Sequence, residues 1–514
     1  MSKLSPTAVS AALNSHILLG DTDLFPRQPE IDIIARHAPE FIALATAKDL
    51  HSIDFGASRR FVVPKDDFST RVATQFDPFD SIALTALMLE YGHLIENKRL
   101  AQSDQIAFSY RFSPQLDGRL FSPSADWTSF WERCLQKASG SNYVGYLDVT
   151  DFYNQIYHHV IENQLNECGW PAYAVKYVNR LLGFLTAKVS RGVPVGPYAS
   201  HMLAEATMIP IDQSIRDHGI DHCRFVDDII FFADSEVDAR STLYKIAEIL
   251  DHQQRLTINR TKTKLYESQS FITHARSMID DRPLTAEEAS VLSVINKYTR
   301  RSPYTNIPIT TLTPADLVSL PDSLVEGVIR AYTKSANVDF PRLRWFLRRL
   351  SQISHPGAIE IIVEWFDKLL PALPDIAHYF ISAAPNYKGD WRSLGGDLFE
   401  MLEHPIVRSN DFLQISILSL FHRNIKLNHL GKLVSLQARL SQDVQREVIL
   451  ILGAHSSSAV LREMKEKFPG LAPWSRRAFL ASAMTLPKEE REFFAKAVRP
   501  ISLFEELLIK ELKK

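Results

Sequence analysis

Two adjacent aspartates, Asp227 and Asp228, interrupt a segment that is otherwise apolar on both sides, CRFVDDIIFFA from Cys223. Burying two carboxylates side by side is costly unless a cation neutralises them. Two other Asp-Asp pairs occur, at 66–67 and 280–281, but neither lies between apolar runs. The pattern therefore predicts a β-hairpin that holds Asp227 and Asp228 at its turn, facing a metal ion.

A third carboxylate, Asp148, stands at the end of another apolar run, YVGYLDV from Tyr143. A strand end holds a carboxylate rigidly, although many α/β proteins place an aspartate there without a metal. The chain between Asp148 and Asp227 is long enough for a helix and a further segment between two adjacent strands. Three convergent carboxylates suit two-metal phosphoryl transfer, in which one ion activates a hydroxyl and the other holds the triphosphate.

A glycine- and proline-rich turn lies between these carboxylates, in SRGVPVGPYASHMLAEATMIPID from Ser190. Gly192, Pro194, Gly196 and Pro197 predict a tight turn that leads into a helix. Glycine there lets the backbone approach a ligand closely, which makes Gly196 a candidate binding residue. A simple loop-to-helix junction is an equally good reading of this segment alone.

The sequence that surrounds these residues divides into two parts with different hydrophobic patterns. Residues 1–285 mix short β-like runs, such as FVVP from Phe61, with amphipathic helical stretches. Residues 286–514 are almost wholly helical in pattern, with Pro, Asn, Gly or Ser breaking the apolar periodicity at short intervals. Consecutive helices with short breaks predict stacked pairs in a HEAT-like array, and a compact helical bundle is the alternative.

Bulk properties limit the classes of protein that fit. The net charge is −2, so the chain lacks the excess of basic residues that proteins binding long duplexes usually have. Any nucleic acid is therefore expected to be bound by a small local surface. Cys134, Cys168 and Cys223 have no CxxC spacing, which argues against a zinc site or a disulfide framework and favours a reducing cytoplasm. The N-terminus does not read as a signal peptide, and the longest apolar run, Ser81–Leu89, is too short to span a bilayer.

The order of the segments resembles the A, B, C and D motifs of reverse transcriptases. A strand ending in Asp148 with Tyr153 beyond it is followed by the Gly-Pro turn and helix, then by FVDD. LTINRTKTK comes next and fits the N-x-x-K-T pattern of the family through Asn259, Lys262 and Thr263. The resemblance extends from about Phe61 to Tyr266 and implies a palm domain.

Upstream, VVPKDDFSTRVATQFDPFD resembles the fingers segment of the same family, with Lys65 and Arg71 matching basic residues that grip the triphosphate of a dNTP. By this resemblance Asp148, Asp227 and Asp228 are the catalytic residues. They would hold Mg²⁺ or Mn²⁺ together with the backbone carbonyl of Val149. Nucleotide contacts are implied for Lys65, Arg71, Tyr153, Gly196 and Lys262.

The subfamily is suggested by departures from the common pattern. Val195 replaces the glutamine of P-Q-G, Leu-Ala-Glu follows at 203–205, and a helical C-terminal half stands where a thumb is expected. These features resemble the abortive-infection (Abi) reverse transcriptases. The implied fold is α+β, with reverse-transcriptase-like fingers and palm (residues 1–285) followed by an all-α HEAT-like domain (residues 286–514) that replaces the thumb.

The Abi resemblance implies a phage-defence DNA polymerase that needs no template and primes from a hydroxyl of its own chain. Single-stranded DNA attached to the protein, a homo-oligomer and a phage protein as trigger would follow. No tyrosine precedes Tyr91, so Tyr91, Tyr110, Tyr298, Tyr304 and an early Ser or Thr all stay open as primers. A conventional RNA-templated reverse transcriptase with a helical accessory domain is the alternative, and a nucleotide-sensing scaffold is a third reading.

Overall fold

The computed structural model describes residues 2–18, 20–22, 24–115, 118–279, 283, 285–299, 308–334 and 338–514. The Asp280-Asp281 pair and Tyr304 lie outside the described residues. The chain forms two compact units. Unit 1 comprises Met1–Asp23, Ile31–Ser58 and Thr74–Asp281, and unit 2 comprises Leu24–Glu30, Arg59–Ala73 and Arg282–Lys514. None of the helices in the described ranges has the length and apolarity needed to cross a membrane.

A four-stranded antiparallel sheet forms the centre of unit 1. Its strands are β3 (Tyr143–Asp148), β4 (His222–Phe225), β5 (Asp228–Ala233) and β6 (Lys264–Glu267). They are arranged in the order β4-β5-β3-β6. The predicted hairpin is therefore present, because β4 and β5 pair directly and leave only Val226 and Asp227 between them.

One face of this sheet packs on an aromatic core. Val144 of β3 and Ile230 of β5 belong to a buried cluster with Trp131 and Phe271. Gly145 points to the opposite face, where a β-carbon would come within 2.1 Å of the Phe231 ring. A residue larger than glycine at position 145 would therefore require the buried Phe231 ring to move.

Helices surround the sheet and supply the remaining apolar core of unit 1. α9 begins after Pro197, as the Gly-Pro turn predicts, and α10 is capped by Ser235, whose Oγ accepts a hydrogen bond from the Asp238 N–H at 3.1 Å. The unit 1 helices are α1 Pro6–Ala11, α2 Ile31–Arg36, α3 Ala38–Ala47, α4 Pro78–Glu96, α5 Trp127–Ala138, α6 Phe152–Gln155, α7 His158–Glu167, α8 Ala172–Leu185, α9 Tyr198–Asp217, α10 Glu236–Gln254 and α11 Ser268–Ile279.

Among its described residues, unit 2 consists of helices and one strand pair, β1 (Arg59–Pro64) and β2 (Thr70–Gln75). The last two residues of β2 belong to unit 1. Its helices are α12 Ala286–Thr299, α13 Pro314–Val318, α14 Asp322–Thr333, α15 Phe340–Gln352, α16 Ile359–Glu364, α17 Phe366–Leu369, α18 Leu373–Ala383, α19 Trp391–Glu403, α20 Pro405–Arg408, α21 Asp411–Arg423, α22 Leu430–Leu436, α23 Gln442–Ala454, α24 Ser458–Lys467, α25 Pro473–Ser482, α26 Lys488–Ala497 and α27 Leu503–Leu512.

The long helices of unit 2 pack in a row. α15 packs on α18, α18 on α21, α21 on α23, α23 on α25 and α25 on α27. Each helix of this series therefore finds its main partner a short distance along the chain, as stacked helical elements do. The HEAT-like character expected from the sequence stays a prediction.

Two segments from the N-terminal part of the chain belong to unit 2, which differs from a simple division at residue 285. Phe25, Phe61 and Val63 are buried in the same apolar core as the C-terminal helices. Glu30 forms a buried ion pair with Arg446, with Nη2 2.6 Å from Oε2. Burial alone would raise the pKa of Glu30, but the Arg446 guanidinium lowers it below its ordinary value. Apolar burial and this ion pair together assign both segments to the helical unit.

Candidate active site

The end of β3 and the start of β5 bring two of the predicted carboxylates together. Asp148 and Asp228 are direct partners in the antiparallel register, and Asp227 is the residue before Asp228 in the β4–β5 turn. Asp148 is 4% exposed, whereas Asp227 and Asp228 are half-buried. The β4–β5 turn and the pairing of β3 with β5 thus place all three aspartates at one end of the sheet.

The turn between β4 and β5 has a strained backbone. Val226 has a φ of 56°, in the left-handed region that β-branched residues rarely adopt. The carbonyl of the next residue, Asp227, accepts a hydrogen bond from the Val149 N–H at 3.2 Å. The turn is therefore tied to the end of β3 directly beside Asp148. The predicted metal contact of the Val149 carbonyl stays a prediction.

Asp228 sits in an unfavourable environment for a negative charge. Burial and the neighbouring carboxylate of Asp227 raise the pKa of Asp228 to about 7. The Tyr146 hydroxyl opposes this effect by donating a hydrogen bond to Asp228 Oδ1 at 2.8 Å. Tyr146 precedes Asp148 by two residues on β3, so both side chains lie on the same face of the sheet.

Lys262 reaches the same end of the sheet from the segment before β6. Its Nζ lies 2.7 Å from Asp148 Oδ2, and its side chain is 58% exposed. Partial burial alone would lower the pKa of Lys262, but the hydrogen bond and charge of Asp148 raise it above its ordinary value. The N–H of Asn259 donates to the Asp148 carbonyl at 2.7 Å, so the Asn-x-x-Lys segment is anchored beside the carboxylate.

The carboxylates of Asp148, Asp227 and Asp228 suit a hard divalent cation, although two of them already bind neighbouring side chains. Among the residues that the structure describes, no three His, Cys, Asp or Glu side chains converge as a ready metal site. Lys262 occupies Asp148 Oδ2, and Tyr146 occupies Asp228 Oδ1. Carboxylate oxygens are preferred ligands of Mg²⁺, and a cation would relieve the crowding that raises the pKa of Asp228. The metal-binding role of the three aspartates remains a prediction.

Tyr153 and the Gly-Pro turn are joined by backbone contacts. The Val193 N–H donates to the Tyr153 carbonyl at 2.8 Å, and the Gly192 N–H donates to the Ile156 carbonyl at 2.8 Å. Gly192 has a φ of 105°, which favours glycine. Gly196 lies in the same turn, directly after Val195, whose carbonyl accepts from the Thr74 N–H at 2.8 Å. The structure therefore brings motifs A and B side by side.

Sequence reasoning missed the partner of Tyr153. The Tyr153 hydroxyl lies 2.6 Å from His201 Nδ1, and the Tyr110 ring stacks on His201 with centroids 4.1 Å apart. Burial raises the pKa of the Tyr153 phenol well above its ordinary value, so the hydroxyl is un-ionised at neutral pH. His201 lies at the start of α9, soon after the Gly-Pro turn of motif B. Its nearness to this motif in the sequence could have suggested a role in the site.

Lys65 and Arg71 lie in unit 2, on either side of the tip of the β1–β2 hairpin. The Lys65 N–H donates to the Ser69 carbonyl at 2.8 Å, and the Lys65 side chain is exposed. Arg71 is half-buried. Their expected contact with a triphosphate rests on the sequence resemblance.

Comparison with known proteins supports the motif reading. Residues 93–294 match the family described as "Reverse transcriptase (RNA-dependent DNA polymerase)". No curated protein matches the sequence. Among solved structures, the chain is similar to apo telomerase from Candida tropicalis, with 10% identity, coverage of 82% of this chain and 74% of that chain, and a TM-score of 0.31. Residues 93–294, which include the three aspartates and Lys262, are a reverse transcriptase domain, and the protein is a polymerase-type nucleotidyltransferase.

Proposed function

We propose that this protein is an abortive-infection DNA polymerase that joins deoxynucleotides without a template and primes from a hydroxyl of its own chain. The main observation in favour of polymerase chemistry is the register of β3 against β5. It pairs Asp148 with Asp228, and the β4–β5 turn places Asp227 next to them, inside the reverse transcriptase domain. The subfamily assignment rests on the sequence.

Asp148, Asp227 and Asp228, with the Val149 carbonyl, would hold Mg²⁺ or Mn²⁺. When bound, such ions lower the pKa of the attacking hydroxyl and neutralise charge on the triphosphate. The hydroxyl would lose its proton to water as its oxygen forms a bond to the α-phosphorus of a dNTP. The bond from that phosphorus to the bridging oxygen would break, and pyrophosphate would leave.

The protein's own groups supply orientation and proton transfer. Lys262 is protonated at neutral pH, as a lysine ordinarily is, and Asp148 raises its pKa further. Its ammonium group can donate a proton to the leaving pyrophosphate. The Tyr153 ring would lie against the sugar and exclude a 2′-hydroxyl. Lys65 and Arg71 would bind the triphosphate, where a guanidinium can form two parallel charged hydrogen bonds.

Three features support the Abi assignment. Val195 stands in place of the family's glutamine, and the Leu-Ala-Glu segment at 203–205 follows the turn. From Ala286 onward, the described residues of the chain form helices joined by short connections, with no strand.

The net charge of −2 provides no broad electrostatic attraction for a template–primer duplex. A side-chain hydroxyl held near the metal would act as primer at high effective concentration.

The described tyrosines differ in how their hydroxyls are engaged. The Tyr91 hydroxyl donates to Glu90 and lies 2.6 Å from the Tyr173 hydroxyl. The Tyr298 hydroxyl donates to Asp316. Tyr110 has a φ of 46° and stacks on His201, which bonds the proposed sugar-contacting Tyr153. The choice among them stays open, as does an early Ser or Thr.

A conventional RNA-templated reverse transcriptase is the second candidate. It is favoured by the description of the matched family as an RNA-dependent DNA polymerase. Such an enzyme copies a defined template from an annealed primer and leaves its product free of protein. A nucleotide-sensing scaffold is the third, and it would bind dNTPs without forming pyrophosphate.

The deciding experiment incubates the full-length protein with Mg²⁺ and labelled dNTPs, with and without poly(rA)·oligo(dT). The product is then denatured and treated with protease or nuclease. We expect label that migrates with the protein until protease releases it, formed equally well without poly(rA)·oligo(dT). DNA that migrates freely, or that forms only with the template–primer, would instead establish the conventional reverse transcriptase.

Two further parts of the proposal need separate measurements. Light scattering of the purified protein tests the expected homo-oligomer. Plaque counts on cells that express the wild type or Asp227→Asn test phage defence. Equal protection by both proteins would favour the scaffold, because only a scaffold can act without catalysis.

A further inference from the structure

Glu205 is a fully buried carboxylate with no part in the proposed reaction. It ends the Leu-Ala-Glu segment on α9 and is 1% exposed. Three side chains bind it inside unit 1. Arg224 Nη2 donates to Oε2 at 2.9 Å, Arg99 Nη2 donates to Oε2 at 2.8 Å, and the Ser109 hydroxyl donates to Oε1.

Two of these partners also bind the backbone of the turn before Asp227. The Val226 N–H donates to Ser109 Oγ at 2.9 Å, and Arg224 Nη1 donates to the Val226 carbonyl at 2.9 Å. Arg224 Nη1 also donates to Glu205 Oε1 at 3.2 Å. Glu205, Ser109, Val226 and Arg224 therefore form a closed ring of hydrogen bonds around one residue of the turn.

Val226 is a residue that needs such support. Its φ of 56° lies in the left-handed region, where a β-branched side chain is strained. Such a strained conformation persists only when several surrounding contacts hold it in place. The ring holds both its N–H and its carbonyl, so the direction in which the chain enters Asp227 is set by groups outside the hairpin turn.

The charges in the ring are balanced by neighbours. Arg224 donates to Asp212 through Nε and Nη2, both at 2.7 Å. Arg224 and Arg99 thus face Glu205 and Asp212, two cations against two anions. Burial alone would raise the pKa of Glu205, but the two guanidinium groups lower it, so the carboxylate is charged. Hydrogen bonds in such a buried setting are electrostatically stronger than in water.

We propose that Glu205, Ser109 and Arg224 are positioning residues that hold Val226 in its left-handed conformation and thereby aim the Asp227 carboxylate. The inference rests on the catalytic role proposed for Asp227. It assigns a function to the glutamate of the Leu-Ala-Glu segment, which acts through the turn and touches no substrate.

The test uses Ser109→Ala in the full-length protein, because this change removes the two ring bonds made by one hydroxyl and leaves all four charges paired. We expect kcat for labelled dNTP incorporation with Mg²⁺ to fall about 10- to 100-fold, the scale of a small misplacement of a catalytic group. The KM for dNTP should stay within about 3-fold, since nucleotide contacts are unchanged. Thr207→Val is the matched control: it removes another buried hydroxyl of unit 1, whose bond goes to the Ala204 carbonyl of its own helix.

A second variant separates positioning from a general loss of stability. Val226→Gly removes the strain, because glycine adopts a positive φ readily. If the ring acts by holding Val226, the fold-reduction in kcat caused by Ser109→Ala should depend on the background. It should be at least about 3-fold smaller in Val226→Gly than in the wild type. Equal effects in both backgrounds would overturn the inference, as would a folded Ser109→Ala with the kcat of Thr207→Val.

Asp227→Asn, assayed in parallel, distinguishes this inference from the proposed function. An inactive Asp227→Asn beside an unimpaired Ser109→Ala overturns the positioning role alone. An Asp227→Asn with wild-type activity overturns the catalytic assignment, and the positioning role with it. Assays with and without poly(rA)·oligo(dT) keep the result independent of the priming mode.

Discussion

The ammonium nitrogen of Lys262 lies 2.7 Å from Oδ2 of Asp148, so a lysine from the segment before β6 neutralises the carboxylate at the end of β3. The lysine and a divalent cation would compete for the same oxygen. This contact connects motif D to motif A and has consequences for both metal affinity and catalysis.

Replacing Lys262 by glutamine should separate these two consequences. Loss of the positive charge should lower the Mg²⁺ concentration for half-maximal activity a few-fold, because the carboxylates attract the ion more strongly. The same change should lower kcat about 10- to 100-fold through loss of a proton donor. Mg²⁺ titrations of dNTP incorporation measure both quantities. An unchanged kcat would leave Lys262 as a surface charge only.

Tyr146→Phe should have the opposite effect on metal affinity. The Tyr146 hydroxyl donates to Asp228 Oδ1 and favours the ionised carboxylate, so its removal should raise the Mg²⁺ requirement a few-fold. The half-buried ring is retained, which keeps the packing of β3 on Trp131. Tyr143→Phe, on the same strand, is the control. A Mg²⁺ requirement equal to that of the control would contradict the role of the hydroxyl.

Asp148→Asn and Asp227→Asn should each abolish nucleotide incorporation without unfolding the protein. Loss of one metal-ligand charge removes several kcal/mol of transition-state stabilisation, which corresponds to at least about 10³-fold in rate. Circular dichroism and the melting temperature check the fold. Asp217→Asn serves as control, because Asp217 is an exposed residue at the end of α9. Near-normal rates in both variants would show that the catalytic carboxylates lie elsewhere.

Tyr153 should determine the choice of sugar through its ring. Tyr153→Ala removes the ring and should relax discrimination against ribonucleotides, seen as a higher ratio of rNTP to dNTP incorporation. Tyr153→Phe keeps the ring and loses the hydroxyl with its bond to His201 Nδ1, so most of the discrimination should remain. If the alanine variant kept the wild-type ratio, the match of Tyr153 to the family's sugar contact would be wrong.

The local sequence around the carboxylates determined much of the palm. Apolar runs on both sides of Asp227-Asp228 predicted the hairpin, because two adjacent carboxylates are costly to bury inside a strand. The run ending in Asp148 predicted the adjacent strand, and the Gly-Pro turn predicted the start of α9. These features depend on neighbouring residues and on short continuous apolar runs, which the sequence displays directly.

The tertiary structure alone decided which distant groups support these residues. Ser109 contacts Glu205 and Val226 across 96 and 117 positions, and Lys262 contacts Asp148 across 114. It also decided that the segments 24–30 and 59–73 pack within the helical unit. No periodicity in the sequence signals such pairs, because they form only when long-range packing excludes water and leaves buried charges and strained backbone to be satisfied by whatever donors lie nearby.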